Sequence, residues 1–499
     1  LFGFHRLAIN GLNYESNQPL VVNDIALICN GEIYNYKKLL KLFDEEKITF
    51  KTDSDCEIII HLYQKYGIEY TLQMLDGVYS FVLVDYRLVL DKSKIFVARD
   101  PYGVRPLFML HGKKSKQLQS NKQNSLVQDN RLLYGFASEL KSLNKVYNSL
   151  NQSKNYNYYV EQFQPGSYSE FNLSFKVNSY WELEKKNVKY FNYGLSNSIV
   201  GDSYTNIMIH IQKYFVEAVY KRCDTTERPI ACLLSGGLDS SLVAAIVNQY
   251  HKNNNLPILE TYSIGVENST DLKNAKLVAD YLGTKHTEVI LKEEDFFNNV
   301  KDVILDIESF DTTTVRASIG NWLIGKHISK KSEAKVIFNG DGADELMGGY
   351  IYTSMAPNCL EFDKECKELL SNIHYFDVLR SDRCISSHGL EPRTPFLDRS
   401  FTLYYLSIPP EIRWNLHGKR QEKHLIRNAF SDKYNTLFEK QLIPDEILFR
   451  KKEAFSDGVS QLDRSLYAIM REYCYEHFMK DELQKHPEIA INLNTMYKT

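Results

Sequence analysis

In the first third of the chain, apolar positions form short runs or alternate with polar ones, the two-residue period of strands half-buried in a sheet. This pattern predicts strands over 25–29, 78–85, 94–99 and 132–137. Between them Ile58, Ile59, Leu62 and Tyr63 recur at helical spacing, so a helix is expected over 55–66, with Asp53 and Ser54 available to cap it. Strands outnumber helices, which gives an α+β reading. Beyond residue 229 the pattern changes. Residues 229–234, 260–266, 286–291 and 335–339 read as short buried strands, with helical stretches such as 239–250 and 271–282 between them. Strands and helices alternating at this spacing argue for a parallel sheet covered on both faces. From about Leu346 the pattern is mostly helical.

Polar stretches suggest the boundaries. Residues 112–130 are rich in Lys, Gln, Asn and Ser and read as a mobile insertion between two strands. Residues 144–158 are similarly polar apart from their tyrosines, and a turn is expected at Pro165–Gly166. The organisation this gives is a first domain over 1–168, a linker over 169–203 and a second domain over 204–499. Charge then narrows the function. Sixty basic residues against 63 acidic ones leave a net charge of -3, without the basic excess of a nucleic-acid binder. No apolar run reaches the roughly 18 residues of a membrane span; the closest, 78–90, is broken by Asp85 and Arg87. Eight scattered cysteines do not make a disulfide framework, so a reducing, cytoplasmic setting is expected.

The sharpest chemical signal is LLSGGLDSS at 233–241, a strand running into a glycine turn and then a helix. Gly236 and Gly237 lack Cβ atoms, so their amides can approach a phosphate. Ser235 and Ser240 add hydroxyl donors beside the positive end of the following helix. Asp239 would repel a bare phosphate, and its natural task is to hold the magnesium ion that neutralises one. The lysine of a Walker A loop is absent. A bare glycine pair at a strand–helix turn is usually structural; the full SGGLDSS in this setting points to a nucleotide.

This motif resembles the PP-loop of ATP pyrophosphatases, which cleave ATP between its α and β phosphates to adenylate a substrate. Downstream, YSIG at 262–265, FDTTTVRAS at 310–318, NGDGADE at 339–345, EPRTPFLD at 391–398 and RKKEAFSDG at 450–458 resemble, in order, segments of asparagine synthetases. The resemblance implies an adenine nucleotide α-hydrolase-like α/β domain with a parallel sheet and a helical C-terminal part. It places ATP at Leu233, Ser235, Gly236, Gly237, Asp239, Ser240, Ile264, Asn339 and Gly340, and aspartate at Thr313, Thr314 and Arg316. It places one shared Mg2+ on Asp239 and Asp344, and gives Asp341 and Lys452 catalytic roles. The chemistry is reasonable residue by residue. Arg316 can fork onto a carboxylate, and Lys452 can supply positive charge to a pentacoordinate phosphate. By itself Lys452, in the run RKKE, would read as a surface lysine. Familiar members of the family have Ser-Gly-Glu where this chain has Asn339-Gly340-Asp341. A shorter acid can still act if the backbone sits closer, which the flanking glycines permit. The competing role for Asp341 is to cap a helix beginning near Asp344.

The first 110 residues resemble the glutaminase domain of the same family, an N-terminal-nucleophile fold of αββα layers. The resemblance assigns glutamine binding to Arg6, Leu7, Ala8, Ile9, Asn10, Asn30, Gly31, Glu32 and Asp55. Arg6 would grip the α-carboxylate, and Glu32 with Asp55 would take the ammonium. The Asn30 amide and the Gly31 N–H would form the oxyanion hole. RDPYGVRPLF at 99–108 and ASELK at 137–141 are further landmarks. Alone, Asn30-Gly31 reads first as a hairpin turn. The nucleophile of such a domain is a cysteine at the very N-terminus, whose own amine is the base. This chain starts at Leu1, and Cys29 and Cys56 lie in other segments. The expectation is an N-terminally truncated chain, with the nucleophile upstream of Leu1; Thr499 also reads as an early end.

These readings combine into ATP-dependent conversion of aspartate, with glutamine or ammonia, to asparagine, AMP and diphosphate through β-aspartyl-AMP. The expected partners are those small molecules, with no nucleic acid and no membrane; a homodimer is left open. The rivals are a β-lactam synthetase-like ligase, an ammonia-only synthetase, a PP-loop tRNA-modifying enzyme and a nucleotide-binding pseudoenzyme. The intact glutamine-binding set speaks against the first, and the acidic charge and unpaired cysteines against the third. Asp239, Asp344 and Lys452 speak against the fourth.

Overall fold

The computed structural model describes residues 2–44, 48–87, 93–114, 134–152, 156–174, 180–193 and 201–452, with Glu472 and Tyr475. Among the described residues, nine strands belong to the first half: β1 (Leu20–Val22), β2 (Ile25–Ile33), β3 (Gly77–Asp85), β4 (Ser93–Arg99), β5 (Phe108–Lys114), β6 (Gly135–Ala137), β7 (Tyr156–Gln162), β8 (Ser167–Ser174) and β9 (Tyr180–Lys189). They form a six-stranded antiparallel sheet in the order β1-β2-β3-β4-β8-β9 and a three-stranded one in the order β6-β5-β7. β1 and β2 are joined by Asn23 and Asp24, both at positive φ, the backbone that lets a two-residue hairpin follow the twist of its strands.

Alternation along these strands builds the layers. Tyr79, Phe81 and Leu83 of β3 face one way and pack with Ile59, Leu62 and Leu72 of the helix Glu57–Met74. Val82 and Val84 face the other way, onto Met109 of the small sheet and Phe163 just past its strand β7. The small sheet's outer face, with Phe108 and Leu110, covers Leu143 of the helix Leu140–Asn151. The order helix, sheet, sheet, helix therefore follows from the period of two in the strands.

Three sequence expectations are corrected here. Residues 144–158, read as polar connection, contain most of the helix Leu140–Asn151 and the start of β7. Leu140, Leu143, Tyr147 and Leu150 form its apolar stripe, which is thin enough to be lost among Asn, Ser and Lys. Residues 169–203, read as a linker, hold most of β8 and all of β9, so the first sheet continues into them. Of the insertion expected over 112–130, Gly112, Lys113 and Lys114 are the end of β5, and the rest lies outside the described residues.

The second half carries β10 (Ile230–Leu233), β11 (Glu260–Val266), β12 (Lys285–Leu291), β13 (Val336–Phe338) and β14 (Glu391–Arg393), all parallel, in the order β12-β11-β10-β13-β14. Apolar clusters fill both faces of this sheet, as a parallel sheet requires. β14 is an addition to the expected set. Its Pro392 cannot donate to a ladder and fits because β14 is an edge. The chain passes from β10 to β11 and β12 on one side, then returns to β13 and β14 on the other. Open α/β sheets bind ligands beyond the strand C-termini at such a reversal, here after β10 and β13. One apolar cluster runs through both halves, joining Ile9, Tyr34, Tyr102 and Val104 to Phe215, Phe396 and Phe401. Among the described residues, no helix is long and apolar enough to cross a membrane.

Candidate active sites

The loops after β10 and β13 meet over a cavity of about 440 Å³. Their contact is close because it is glycine-lined: a Cβ on Gly340 would stand 2.8 Å from Asp239 Cβ and 2.9 Å from Ser240 N. Gly236 holds φ +71°, and a Cβ there would meet Asn274 at 2.4 Å, so the first loop lies flat against the helix Thr270–Leu282. Ser240 Oγ accepts from Ser235 N at 3.2 Å and lies 3.0 Å from Ser235 Oγ, which folds the loop towards the start of the helix Leu238–Asn253.

Four charged groups form a chain across this cavity. Lys423 Nζ donates to Asp239 Oδ2 at 2.5 Å and lies 2.5 Å from Asp344 Oδ1. Lys452 also reaches Asp344 Oδ1, with its ammonium 4.8 Å from the Tyr350 ring centre. Burial opposes the ionised form of Asp344, but Lys423 and Lys452 overcome it and hold the carboxyl well below the usual range. Burial likewise opposes the charge on Lys423, and Asp239 with Asp344 reverses the effect, so its pKa is raised. Lys423 is only 4% exposed, and the sequence reading missed it. Its run, QEKHLIR, carries no glycine punctuation and looks like an ordinary helix start.

Asp341 stands in the same cavity wall and accepts from Asn339 Nδ2 at 2.9 Å, while Asn339 also donates to Ser381 Oγ at 2.6 Å. Burial raises its pKa and Arg380 partly offsets this. The helix Ala343–Met347 has Gly342 at its N-cap and no side-chain cap, so Asp341 does not take the competing capping role. Leu233, Ser235, Gly237, Thr313 and Arg316 line the cavity too. Two expected residues point elsewhere. Thr314 is buried and bonds Asp311 through both its N–H, at 2.7 Å, and its hydroxyl, at 2.8 Å, closing the start of the helix Thr312–Lys331. The Ile264 side chain packs in the core, although β11 runs past the end of β10 there, where Leu234 N donates to Tyr262 O at 2.8 Å.

Metal binding can be tested on the donor set. Asp239 Oδ1 is buried and without a hydrogen-bond partner, and carboxylate oxygens suit Mg2+. Among the described residues no group of three or more His, Cys, Asp or Glu could hold a metal by itself. Two aspartates fit an ion that brings its remaining oxygens on a nucleotide.

The first-domain set gathers around β2. Gly31 pairs with Tyr79, and a Cβ on it would stand 2.2 Å from Val78 O, so the crossing requires glycine. Asn30 Nδ2 donates to Ser138 Oγ at 3.4 Å. Glu32 Oε2 accepts from Asn10 Nδ2 at 2.5 Å and lies 3.6 Å from Arg393 Nη2. Asp55 Oδ2 accepts from Ile33 N at 2.6 Å. Arg6 donates to the carbonyls of Asn10 and Gly11, curling its own segment. Ala8, Ile9 and Gly11 are fastened to Arg228 and Glu227 of the second half, and Leu7 is exposed. Asn30-Gly31 is thus mid-strand, not a hairpin turn.

Burial, then Asp55, pushes the Glu32 carboxyl well up; burial brings Asp55 to about 6, with the Ile33 N–H pulling the other way. A raised carboxyl stabilises the fold fully below its unfolded value, near 4, and that contribution is lost as pH rises through about 6. Asp55→Asn, which can still accept from Ile33 N, should therefore melt above the parent at pH 8, and the gap should close as pH falls towards 4. Calorimetry across that range checks it; equal melting temperatures at pH 8 would show the ionised acid is already compensated.

Comparison with known proteins gives the family. The glutamine amidotransferase domain family matches residues 1–181, and the asparagine synthase family matches 210–365 and 354–490. The class is thus a glutamine amidotransferase domain joined to a nucleotide-dependent synthase domain. The chain is 42% identical over 488 residues to asparagine synthetase [glutamine-hydrolyzing] of Gallus gallus, covering 95% of this chain and 79% of that protein. With the Homo sapiens protein of the same name, identity is 40% over 505 residues, 99% of this chain and 83% of that one. The chain belongs to the asparagine synthetase family.

Proposed function

We propose that this protein makes asparagine from aspartate at the cost of ATP, taking nitrogen from glutamine bound by its first domain or from free ammonia. The observation that carries the reading is the meeting of Asp239, Lys423, Asp344, Lys452 and Asp341 at the strand reversal of a parallel sheet. The β-carboxylate of aspartate attacks the α-phosphorus of ATP, and diphosphate leaves to give β-aspartyl-AMP. The 235–240 amides and hydroxyls hold the leaving diphosphate, and Lys423 and Lys452 face the charge that grows as the bond breaks. Mg2+, held by Asp239 and Asp344 with the nucleotide, would neutralise phosphate charge. The β11 backbone near Ile264 borders the place the adenine takes. Thr313 and Arg316 hold aspartate, Arg316 by its carboxylate. Ammonia then attacks the acyl carbon, a proton is lost from nitrogen, and AMP leaves.

In the first domain, Glu32 and Asp55 are two buried acids that a substrate ammonium would relieve, which supports glutamine as the ligand there. The reading is tested by aspartate-dependent pyrophosphate release with ammonia as nitrogen source. Within that assay Asp341→Ala should lose asparagine formation, while Asp341→Glu keeps a measurable fraction. Asp341→Asn retains the size and the contact to Asn339 but not the charge. If Asp341→Asn makes asparagine at the parent's rate, the acid has no catalytic part.

A further inference from the structure

The backbone just ahead of Lys452 is gripped by the same segment that supplies Lys423. Arg427 Nη1 donates to Leu448 O, and Gln421 Nε2 donates to Phe449 O at 2.9 Å and to Arg450 O at 3.0 Å. These three carbonyls belong to the last residue of the short helix Asp445–Leu448 and the two residues after it, where main-chain acceptors have no helical partner. On the far side Arg450 Nη1 donates to Gly236 O at 3.2 Å and lies 3.8 Å from Asp271 Oδ1, which pins the same backbone to the nucleotide loop. Lys452 follows two residues later and reaches Asp344. The main chain is therefore clamped between two anchors immediately before it delivers an ammonium to the cavity.

We infer that Gln421 is a positioning residue for Lys452: its amide fixes the backbone at 449–450 so that the lysine meets the phosphate charge instead of sweeping through solvent. The side chain of Lys452 has four rotatable bonds, and its placement rests on the backbone that carries it. The inference depends on Lys452 being the stabilising charge of the adenylation step. Plain helix capping would use the same two bonds, but it would have no connection to the lysine.

The test is a double-mutant cycle on ammonia-dependent pyrophosphate release. Gln421→Met keeps the length and removes the donors; Gln421→Glu does so with a hydrophilic side chain. Both should lower kcat about 10- to 100-fold, with KM for aspartate unchanged, as expected for a reacting group misplaced by about an ångström. In a Lys452→Ala background neither should lower the rate further, because residues acting through one another are not additive. Trypsin should also cut the Gln421 variants faster after Arg450 and Lys451. Parent-like kcat in both variants, or an equal loss with and without Lys452, overturns the inference. If Lys452→Ala itself runs at the parent's rate, it is the role of the lysine that fails, and the two failures are told apart by the single variants.

Discussion

Asp344→Ala is expected to abolish aspartate-dependent pyrophosphate release. Its carboxylate accepts both Lys423 and Lys452, so its loss takes a partner from two ammonium groups at once. Lys423 is left with Asp239 alone inside the cavity wall, so part of the compensation for its buried charge is lost. The variant should therefore melt lower as well as being inactive. Asp344→Asn, which keeps the volume, separates charge from packing: it should recover much of the melting temperature and none of the rate. Both are read by a coupled pyrophosphate assay beside calorimetry. Turnover within a few-fold of the parent in Asp344→Asn would mean the two lysines need no anionic partner.

Gly349→Ala should act on the same pair without touching either charge. A Cβ at Gly349 would lie 2.0 Å from Asp344 Oδ1 and 2.3 Å from Lys423 Cε, so one of them must move. The neighbouring Gly348 is left-handed, at φ +62°, and would be strained by any side chain. Gly349 holds no such conformation, so its substitution tests space alone. Overpacking costs about 1–3 kcal/mol. A lysine displaced by about an ångström costs roughly 10²-fold in kcat. A folded variant with slightly lowered stability, unchanged aspartate KM and strongly lowered kcat is the expected result. A parent-like kcat would separate the Asp344–Lys423 contact from the reaction.

Which parts of this molecule could be read in advance depended on how locally they are encoded. β10, its glycine loop and the following helix are contiguous in sequence, and each residue type there has a local reason. Asp341 and Asp344 share one segment and Lys452 comes from another, but each segment carries a resemblance. Lys423 belongs to neither group. It is brought into the cavity by the approach of Asp239 and Asp344, contacts 184 residues and some 80 residues away along the chain, and by the space at Gly349 that admits its Cε. Thr314 shows the reverse error: a hydroxyl beside functional neighbours that the start of its own helix consumes. Among the elements, β8 was hidden by polar residues it buries, Ser167, Ser169 and Glu170, β9 by its exposed run of Glu and Lys at 184–186, and β14 by a proline that only an edge accepts.

The fastening of residues 8–11 bears on how the protein could be divided. Ala8 O takes Arg228 Nε at 3.0 Å, Ile9 O takes Glu227 N at 3.0 Å, Asn10 Nδ2 gives to Thr225 O at 2.9 Å, and Gly11 N gives to Glu227 Oε1 at 2.6 Å. One wall of the proposed glutamine pocket is thus built on the second half of the chain. A gene fragment ending before the helix Tyr204–Asp224 would encode the sheets of the first domain, yet leave residues 8–11 with four bonds unmade. The nitrogen-donating half is therefore no transferable module: grafted onto another synthetase it would need a matching Thr225–Arg228 turn, and the two halves must change together.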